Sequence, residues 1–325
     1  SPHPHTFAVN FVVNTFPARS HKILGDALSA ATGDPHFFIC RIGPDSTFRV
    51  PAGCTGIWWS CRGSAKAIYG DAVTSLDRRS IVVSDSQRPL DIVTGATGRV
   101  IGFVATIAHW RILMSGTDFG SCRESLLFPA LHRATRHACR LIVRTLRASE
   151  DDASPISGAV NRVVVVTELI DHLQRPFESL IARCPGRSLQ QKRTIFMRLQ
   201  RARNHLVSNT HRALNIKSLA FSANYSVWRF IRLYGTVFGE TPYAAISRCR
   251  IEQAQQLLQS ADTCVGDVAS AVGFESRSAL TRALKKRFGA NATQLRTTSR
   301  RSQRVRSPAA SLPRIVQSHK SRKSS

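Results

Sequence analysis

The sequence repeats one pattern twice near its C-terminal end, in residues 219–239 and 268–289. Ala220 and Ala269 lie forty-nine residues apart, so the second copy has one more residue in its turn. The other matched positions lie fifty residues apart: Ser226 with Ser276, Phe230 with Leu280, Arg232 with Arg282, Tyr234 with Leu284, and Phe238-Gly239 with Phe288-Gly289. Such a repeat constrains the fold strongly, because both copies must form the same supersecondary unit.

Each copy predicts a short helix, a tight turn and a longer helix with a serine at its N-cap. In the second copy Leu280, Leu284 and Phe288 recur every four residues, which places them on one face of a helix. Between the copies, Thr241 and Pro242 suit the cap and first position of a further helix. The segment therefore predicts two helix-turn-helix units joined by one long helix.

The longer helix of each copy has a polar or aromatic face opposite its apolar stripe. At about 100° per residue, Trp228 and Arg232 lie on that face in the first copy, and Ser278 and Arg282 take the equivalent places in the second. The second helix of a helix-turn-helix enters the major groove of DNA, and arginine pairs with two acceptors of guanine. This pattern favours a role in reading DNA bases over a merely solvated face.

The distribution of charge agrees with an anionic partner. The formal net charge is +26, and residues 201–325 contain 22 Lys and Arg against 5 Asp and Glu, a balance of 22 − 5 = +17. A basic excess concentrated in one segment is typical of nucleic-acid binding. A membrane surface would instead favour a lysine-rich amphipathic helix, and the basic residues here are mostly arginine.

The repeat and the residues around it closely resemble the DNA-binding domain of the AraC/XylS family of bacterial transcription regulators. The resemblance covers about 80 residues, 216–296, and its motifs are the FGETP step, the R-x-x-x-A-x-x-L-L pattern of the connecting helix and the GF-x-S turn. Two positions depart from the family pattern: Gly235 stands where the family usually has lysine, and Ala292 where it usually has proline.

The resemblance implies a regulator, such as an activator, that inserts both recognition helices into adjacent major grooves of double-stranded DNA. The positions carried over as DNA-binding are Trp228, Ile231, Arg232, Arg277, Ser278, Thr281 and Arg282. It also implies an N-terminal cupin-like domain that binds a small-molecule effector, a homodimer and contact with RNA polymerase. No cofactor is implied.

The rest of the chain predicts an α+β protein of four segments. Residues 1–120 are predicted to be β-rich, because short strand-like runs from about Phe7 to Ile107 alternate with turn residues. From about Ser121 the period becomes helical, which predicts a connector and dimerisation region over 121–211. Residues 212–296 then form the double helix-turn-helix domain, and the basic tail 297–325 is predicted to be disordered.

Other functional classes have weaker support. The eight cysteines form no CxxC pair, and neither a metal site nor a catalytic constellation stands out. No signal peptide or membrane-spanning run is visible, so we expect a cytoplasmic protein that is not an enzyme. The alternative is a nucleotide-binding, oxidoreductase-like protein, suggested by the glycine-rich stretch 95–102 with Asp118 downstream. Its glycine spacing is one residue too long, which favours a turn between strands.

Overall fold

The structure is a computed structural model that describes residues 10–24, 36–70, 72–115, 127–147, 155–210, 215–260 and 263–296. The chain divides into two compact units. The first comprises Ser1–Thr210 and Leu214–Ile246, and the second comprises His211–Ala213 and Ser247–Ser325. Each unit has apolar cores of its own.

Strands make up the N-terminal part of the first unit, as the sequence predicts. Their bounds are Asn10–Phe16 (β1), His21–Ile23 (β2), His36–Ile42 (β3), Thr47–Val50 (β4), Cys54–Arg62 (β5), Ala65–Tyr69 (β6), Ala72–Leu76 (β7), Ser80–Val83 (β8), Leu90–Thr94 (β9), Arg99–Thr106 (β10) and Ala130–Arg133 (β11). They form a six-stranded sheet in the order β1-β3-β10-β5-β8-β11 and a five-stranded sheet in the order β2-β4-β9-β6-β7.

The six-stranded sheet faces two different cores, because successive side chains of a strand point to opposite faces. Along β3, Phe38 and Cys40 pack between the two sheets, where Phe48 of the five-stranded sheet closes the core. Phe37 and Ile39 pack on the outer face, against helices. Two sheets facing each other across an apolar interior agree with the predicted cupin-like barrel.

Apart from one helix that precedes β11, the helices follow the strands and continue to the end of the described chain. Their bounds are Ile107–Ser115 (α1), Arg136–Arg147 (α2), Pro155–Gln174 (α3), Glu178–Ala182 (α4), Leu189–Ser208 (α5), Ile216–Ser222 (α6), Val227–Phe238 (α7), Pro242–Ser260 (α8), Val265–Val272 (α9) and Arg277–Phe288 (α10). Trp110 of α1, Leu141 of α2 and Leu169 of α3 cover the outer face of the six-stranded sheet. In the described residues no helix is long and apolar enough to cross a membrane.

The prediction of a helix from about Ser121 is wrong in part. Residues 121–126 lie outside the described residues, and Ala130–Arg133 form strand β11, whose Leu131 pairs with Val82 of β8. The helix begins only at Arg136. Pairing at the open edge of the six-stranded sheet satisfies the backbone of this segment, so tertiary contact overrides its helical periodicity.

The glycine-rich stretch is a turn between strands, as its spacing favours. Gly98 donates its N–H to the carbonyl of Gly95 at 2.8 Å between β9 and β10, and a strand follows where a nucleotide site needs a helix. A Cβ at Gly102 would lie 2.1 Å from Cζ3 of Trp58, so close packing explains that glycine. Asp118 lies outside the described residues. The oxidoreductase alternative therefore has no support.

Candidate nucleic-acid interface

The first helix-turn-helix consists of α6 and α7, and backbone bonds hold its turn. The N–H of Tyr225 donates to the carbonyl of Ala220 at 2.9 Å, and Asn224 takes the left-handed conformation with φ of 59°. Asparagine tolerates this region better than other side chains do. The hydroxyl of Ser226 then accepts the N–H of Arg229 at 3.4 Å. The predicted N-cap is confirmed, and it fixes where α7 begins.

The two faces of α7 differ as the sequence predicts. Phe230 and Tyr234 are fully buried, whereas Trp228 is 69% exposed. Arg232 is also exposed, and its Cζ lies 5.2 Å from the centroid of the Trp228 ring. A cation over an indole face at an exposed site is worth about 0.5–1 kcal/mol. Ile231 is half-buried and packs against the core, so it presents less surface than Trp228 and Arg232 do.

Residues from outside the repeat hold the C-terminal end of α7. The guanidinium of Arg203 lies 4.5 Å from the ring centroid of Phe238, and the ring of Phe196 lies 6.2 Å from it. Arg183 donates from Nη1 to the carbonyl of Val237 at 3.4 Å. Phe238, which matches Phe288 of the predicted apolar stripe in the second copy, is half-buried. The first copy therefore shares its core with α5 and with the segment after α4.

Helix α5 also contacts the β-rich region on another side. Gln200 and Asn204 both donate to the carbonyl of Pro129, at 3.1 and 2.6 Å. The Nε of Arg201 lies 3.0 Å from Oδ1 of Asp85. Sequence reasoning missed these contacts, because 116 residues separate Arg201 from Asp85 and no local pattern signals such a pair. Within the first unit, α5 thus connects the β-rich region to α7.

The second helix-turn-helix consists of α9 and α10, and its turn follows the same plan. The N–H of Phe274 donates to the carbonyl of Ala269 at 2.8 Å, and Gly273 is left-handed with φ of 86°. The hydroxyl of Ser276 accepts a backbone N–H of the first turn of α10 at 3.1 Å. Glu275 is the additional residue, between the left-handed position and the N-cap. The predicted insertion in the turn is confirmed.

The exposed face of α10 is hydroxylic and basic. Leu280 and Leu284 are fully buried, whereas Arg277, Ser278 and Arg282 are exposed. This face has no aromatic residue to compare with Trp228. It can offer guanidinium and hydroxyl hydrogen bonds to base edges and phosphates.

Thr281 differs from the other carried-over residues of α10. It is half-buried, and its hydroxyl donates to the carbonyl of Arg277 at 2.9 Å. The last turn of α10 adds Lys285, Lys286 and Arg287, all exposed. Cations at this end complement the helix dipole. The sequence shows these charges, but the family motif alone does not include them in the candidate DNA-binding surface.

The second copy has a core made only from its own unit. Ile251 and Leu258 of α8 pack with Val268 of α9 and with the buried leucines of α10. A final helical segment, residues 292–296, follows without the proline that the family pattern expects. Asn291 caps this segment. The Oδ1 of Asn291 accepts the N–H of Gln294 at 2.9 Å, and the Oε1 of Gln294 accepts the N–H of Asn291 at 2.8 Å.

Other chemistry finds little support in the described part of the chain. No group of three or more His, Cys, Asp or Glu residues there could hold a metal ion. His132 lies on β11, whereas His137 and Cys139 lie on α2. Burial raises the pKa of Cys54 and Cys184 to about 11, so both thiols are protonated and poorly nucleophilic at neutral pH.

A family model described as a helix-turn-helix domain matches residues 219–298. The virulence regulon transcriptional activator VirF of Yersinia enterocolitica is 32% identical over 99 residues, which cover 30% of this chain and 36% of VirF. Residues 219–298 are a helix-turn-helix domain of the AraC type. The regulator ExsA of Pseudomonas aeruginosa is 40% identical to this AraC-type region over 67 residues, 21% of this chain and 24% of ExsA.

These relatives bear on the AraC-type domain alone, because the chain spans about a third of VirF and a quarter of ExsA. Among solved structures, the DNA-binding domain of AdpA in complex with target DNA is 26% identical, with 33% of this chain and 96% of that chain covered and a TM-score of 0.31. ToxT from Vibrio cholerae is 12% identical over 80% of this chain and 97% of that chain, with a TM-score of 0.34. Both scores are too low to establish a shared arrangement of the whole chain.

Proposed function

We propose that this protein is a sequence-specific, DNA-binding transcription regulator, and specifically an activator. The observation that carries the proposal is the pair of capped helices α7 and α10, each with a buried apolar stripe and an exposed face bearing an arginine. The relatives named activators and regulators match this region, which supports the same role here. The protein would then be a cytoplasmic regulator and not an enzyme.

Each copy contributes a different reading surface to this proposal. In the first, Trp228 contacts sugar or a thymine methyl group and Arg232 pairs with guanine, while Ile231 adds its exposed part. In the second, Arg277, Ser278 and Arg282 donate to base edges or phosphates, and Thr281 supports Arg277 through its hydroxyl.

The remaining parts of the proposal concern regulation. The domain resemblance suggests that the β-rich region binds a small-molecule effector, that the helices within 121–211 form a homodimer interface, and that the bound protein contacts RNA polymerase. Light scattering on the full chain tests the dimer, and a monomer at micromolar concentration would contradict it. The predicted boundaries at residues 120, 211 and 296 remain part of this proposal as divisions of function, although the first helix-turn-helix shares its core with α5, on the other side of residue 211.

The decisive experiment is a binding-site selection from random duplexes with the wild type, Arg232→Ala and Arg282→Ala. Each variant should lose about 1–3 kcal/mol on the selected site and relax the base preference at one position. Arg187→Ala is the matched control, because Arg187 is exposed and lies outside both copies. If both variants keep the wild-type preference and lose only general affinity, the two arginines bind phosphate and base reading by these residues is excluded.

A further inference from the structure

Helix α2, far from the AraC-type domain in sequence, carries a narrow line of arginines. We call the arginine stripe the residues Arg136, Arg140, Arg144 and Arg147, all of which are exposed. At about 100° per residue they fall within about 80° of one another around the helix axis. Across about 16 Å of helix they present four positive charges in one direction.

In the described part of the protein, no ion pair joins an arginine of the stripe to an Asp or Glu. The two carboxylates of α3 have other contacts: Glu168 lies 3.3 Å from His137 of α2, and Asp171 is paired with Arg175. Residues 133–147 contain no Asp or Glu. The turn before β8 lies beside α2, since the carbonyl of Arg79 accepts the N–H of Ala134 at 2.7 Å. This turn contains Asp77 as well as Arg78 and Arg79. Burial raises the pKa of Cys139 on α2, and Arg78 is close enough to oppose that rise.

This arrangement weakens the helix that carries it. Like charges three or four residues apart on a helix repel each other. Arg136 is in addition the first residue of α2, where the helix dipole disfavours a cation, whereas Arg144 and Arg147 in the last turn complement the dipole, so the cost comes mainly from the repulsion. A helix that keeps such repulsion along one face is best explained by an anionic partner that removes it.

The opposite face of α2 decides what kind of partner fits. Ala138, Leu141 and Ile142 are buried against the six-stranded sheet, so α2 has no apolar face left for a membrane. Helix α2 itself carries no exposed large apolar residue around which a protein interface could form its core. A phosphate backbone needs no such core, and arginine binds phosphate with two parallel hydrogen bonds.

We propose that the arginine stripe binds the phosphate backbone of double-stranded DNA and so extends the contact with DNA beyond the two recognition helices. The proposal rests on the proposed DNA-binding function. The stripe contacts phosphates and no base edges, so it adds affinity without sequence preference. The arginine stripe also makes this face of α2 unsuited to a twofold contact between two copies of the chain, because the positive stripe of one copy would lie against the positive stripe of the other.

The test compares the salt dependence of DNA binding for the whole 325-residue chain and its variants. Binding of a mixed-sequence 60-base-pair duplex is measured by fluorescence anisotropy from 50 to 200 mM KCl for the wild type and for Arg140→Gln/Arg144→Gln. Two lost phosphate contacts should lower the slope of log K against log salt by about 1.8, so the variant's affinity falls about twelvefold less over this range. Arg88→Gln/Arg187→Gln is the matched control, because both of its arginines are exposed and lie outside α2, α7 and α10.

The outcomes separate the stripe from the proposed function. If the wild type binds no duplex even at 50 mM KCl, the proposed function fails and the stripe proposal fails with it. If the wild type binds and the α2 variant keeps its slope, or the control loses as much, the stripe proposal alone is wrong. Polyglutamate that binds the wild type as tightly as the duplex, and does not bind the α2 variant, would assign the stripe to an acidic protein instead. Circular dichroism should show that the α2 variant stays folded and melts no earlier than the wild type, since repulsion has been removed.

Discussion

The two helix-turn-helix copies have matching turns and caps but different supports. The first copy shares one core with Phe177, Phe196 and Leu199, which precede the repeat. The second packs against α8 and the segment 292–296 and forms a core within its own unit. Sequence similarity between the copies therefore specifies their local backbone, whereas their stability depends on neighbours that the repeat does not contain.

Their exposed surfaces differ in chemistry as well. Trp228 is replaced by Ser278 in the second copy, and Gly235 is replaced by Lys285. Phe221 on α6 is 83% exposed, while the residue at the matching place, Ser270, is an exposed serine. Under the proposed function, the first copy would contribute more apolar and stacking contact and the second more salt-dependent contact.

The largest expected effect comes from cutting the chain at the predicted boundary. A fragment that begins at residue 212 lacks α5, and with it several buried side chains, each worth about 1.5–3 kcal/mol. We expect α7 to be unfolded in this fragment and α10 to stay folded. A fragment that begins at Arg175 retains α4 and α5 and is the control. Hydrogen exchange measures the protection of α7 and α10 in each fragment. Equal protection of α7 in the two fragments would contradict the shared core.

Single core substitutions should separate the copies in the intact chain. Phe196→Ala removes a fully buried ring and should cost about 3–5 kcal/mol in the first unit, whereas Leu258→Ala should cost about 2–5 kcal/mol in the second. Hydrogen exchange should then rise in α7 for the first variant and in α10 for the second. If both variants destabilise both helices equally, the two cores unfold together and the comparison fails.

Acid should weaken the first copy before the second. His132 lies 5.5 Å from the ring of Phe177, its Nε2 is buried without a hydrogen-bond partner among the described residues, and burial, with the nearby His172, lowers its pKa to about 4. Its unfolded pKa is about 6.5, so its contribution to stability is complete above pH 6.5 and declines towards pH 4, by about 1–2 kcal/mol at pH 5.

The measurement is urea unfolding of the full chain between pH 7 and pH 5, with His132→Phe as the comparison. In this variant, the free energy of unfolding for the transition that includes α7 should depend less on pH. His172, the titratable neighbour of His132, is unchanged in this variant, as are His137, Arg175, Asp171 and Glu168, which act on His172. An unaltered pH dependence would show that other groups cause the loss.

The smallest effect concerns the helix interior at Gly235. A Cβ there would meet no atom within 4 Å, so Gly235→Ala should stabilise the first copy by about 0.5–1 kcal/mol through helix propensity alone. Gly235→Lys, which copies Lys285, should add a phosphate contact and steepen the salt dependence of DNA binding by about 0.9. Lys285→Gly should remove a phosphate contact and make the salt dependence of DNA binding less steep by about 0.9. A Gly235→Lys variant that matches Gly235→Ala in its salt dependence would exclude the phosphate contact.

The sequence predicted those features whose causes are local. Ser226, Ser276 and Thr241 act as caps as expected, because a cap depends on residues three positions away. Periodicity failed at Ala130–Arg133, where an open sheet edge decides the structure.

Contacts between distant parts of the chain could not be predicted. The bond of Arg201 to Asp85 and the position of Phe196 against Phe238 depend on packing between elements. For the same reason, the sequence showed which side chains of α7 face outward but not that Arg232 stacks on Trp228.

Helix α5 contacts Pro129 and Asp85 with one set of residues and Phe238 with another. Under the proposed function, if the binding of a small molecule and the binding of DNA both depend on the position of α5, the small molecule would change the affinity for DNA by some factor. Thermodynamic reciprocity then requires DNA to change the affinity for that molecule by the same factor. Operator DNA would thus act as an effector of the β-rich region, and the protein on its operator and the protein free in the cell would sense different concentrations of the same signal.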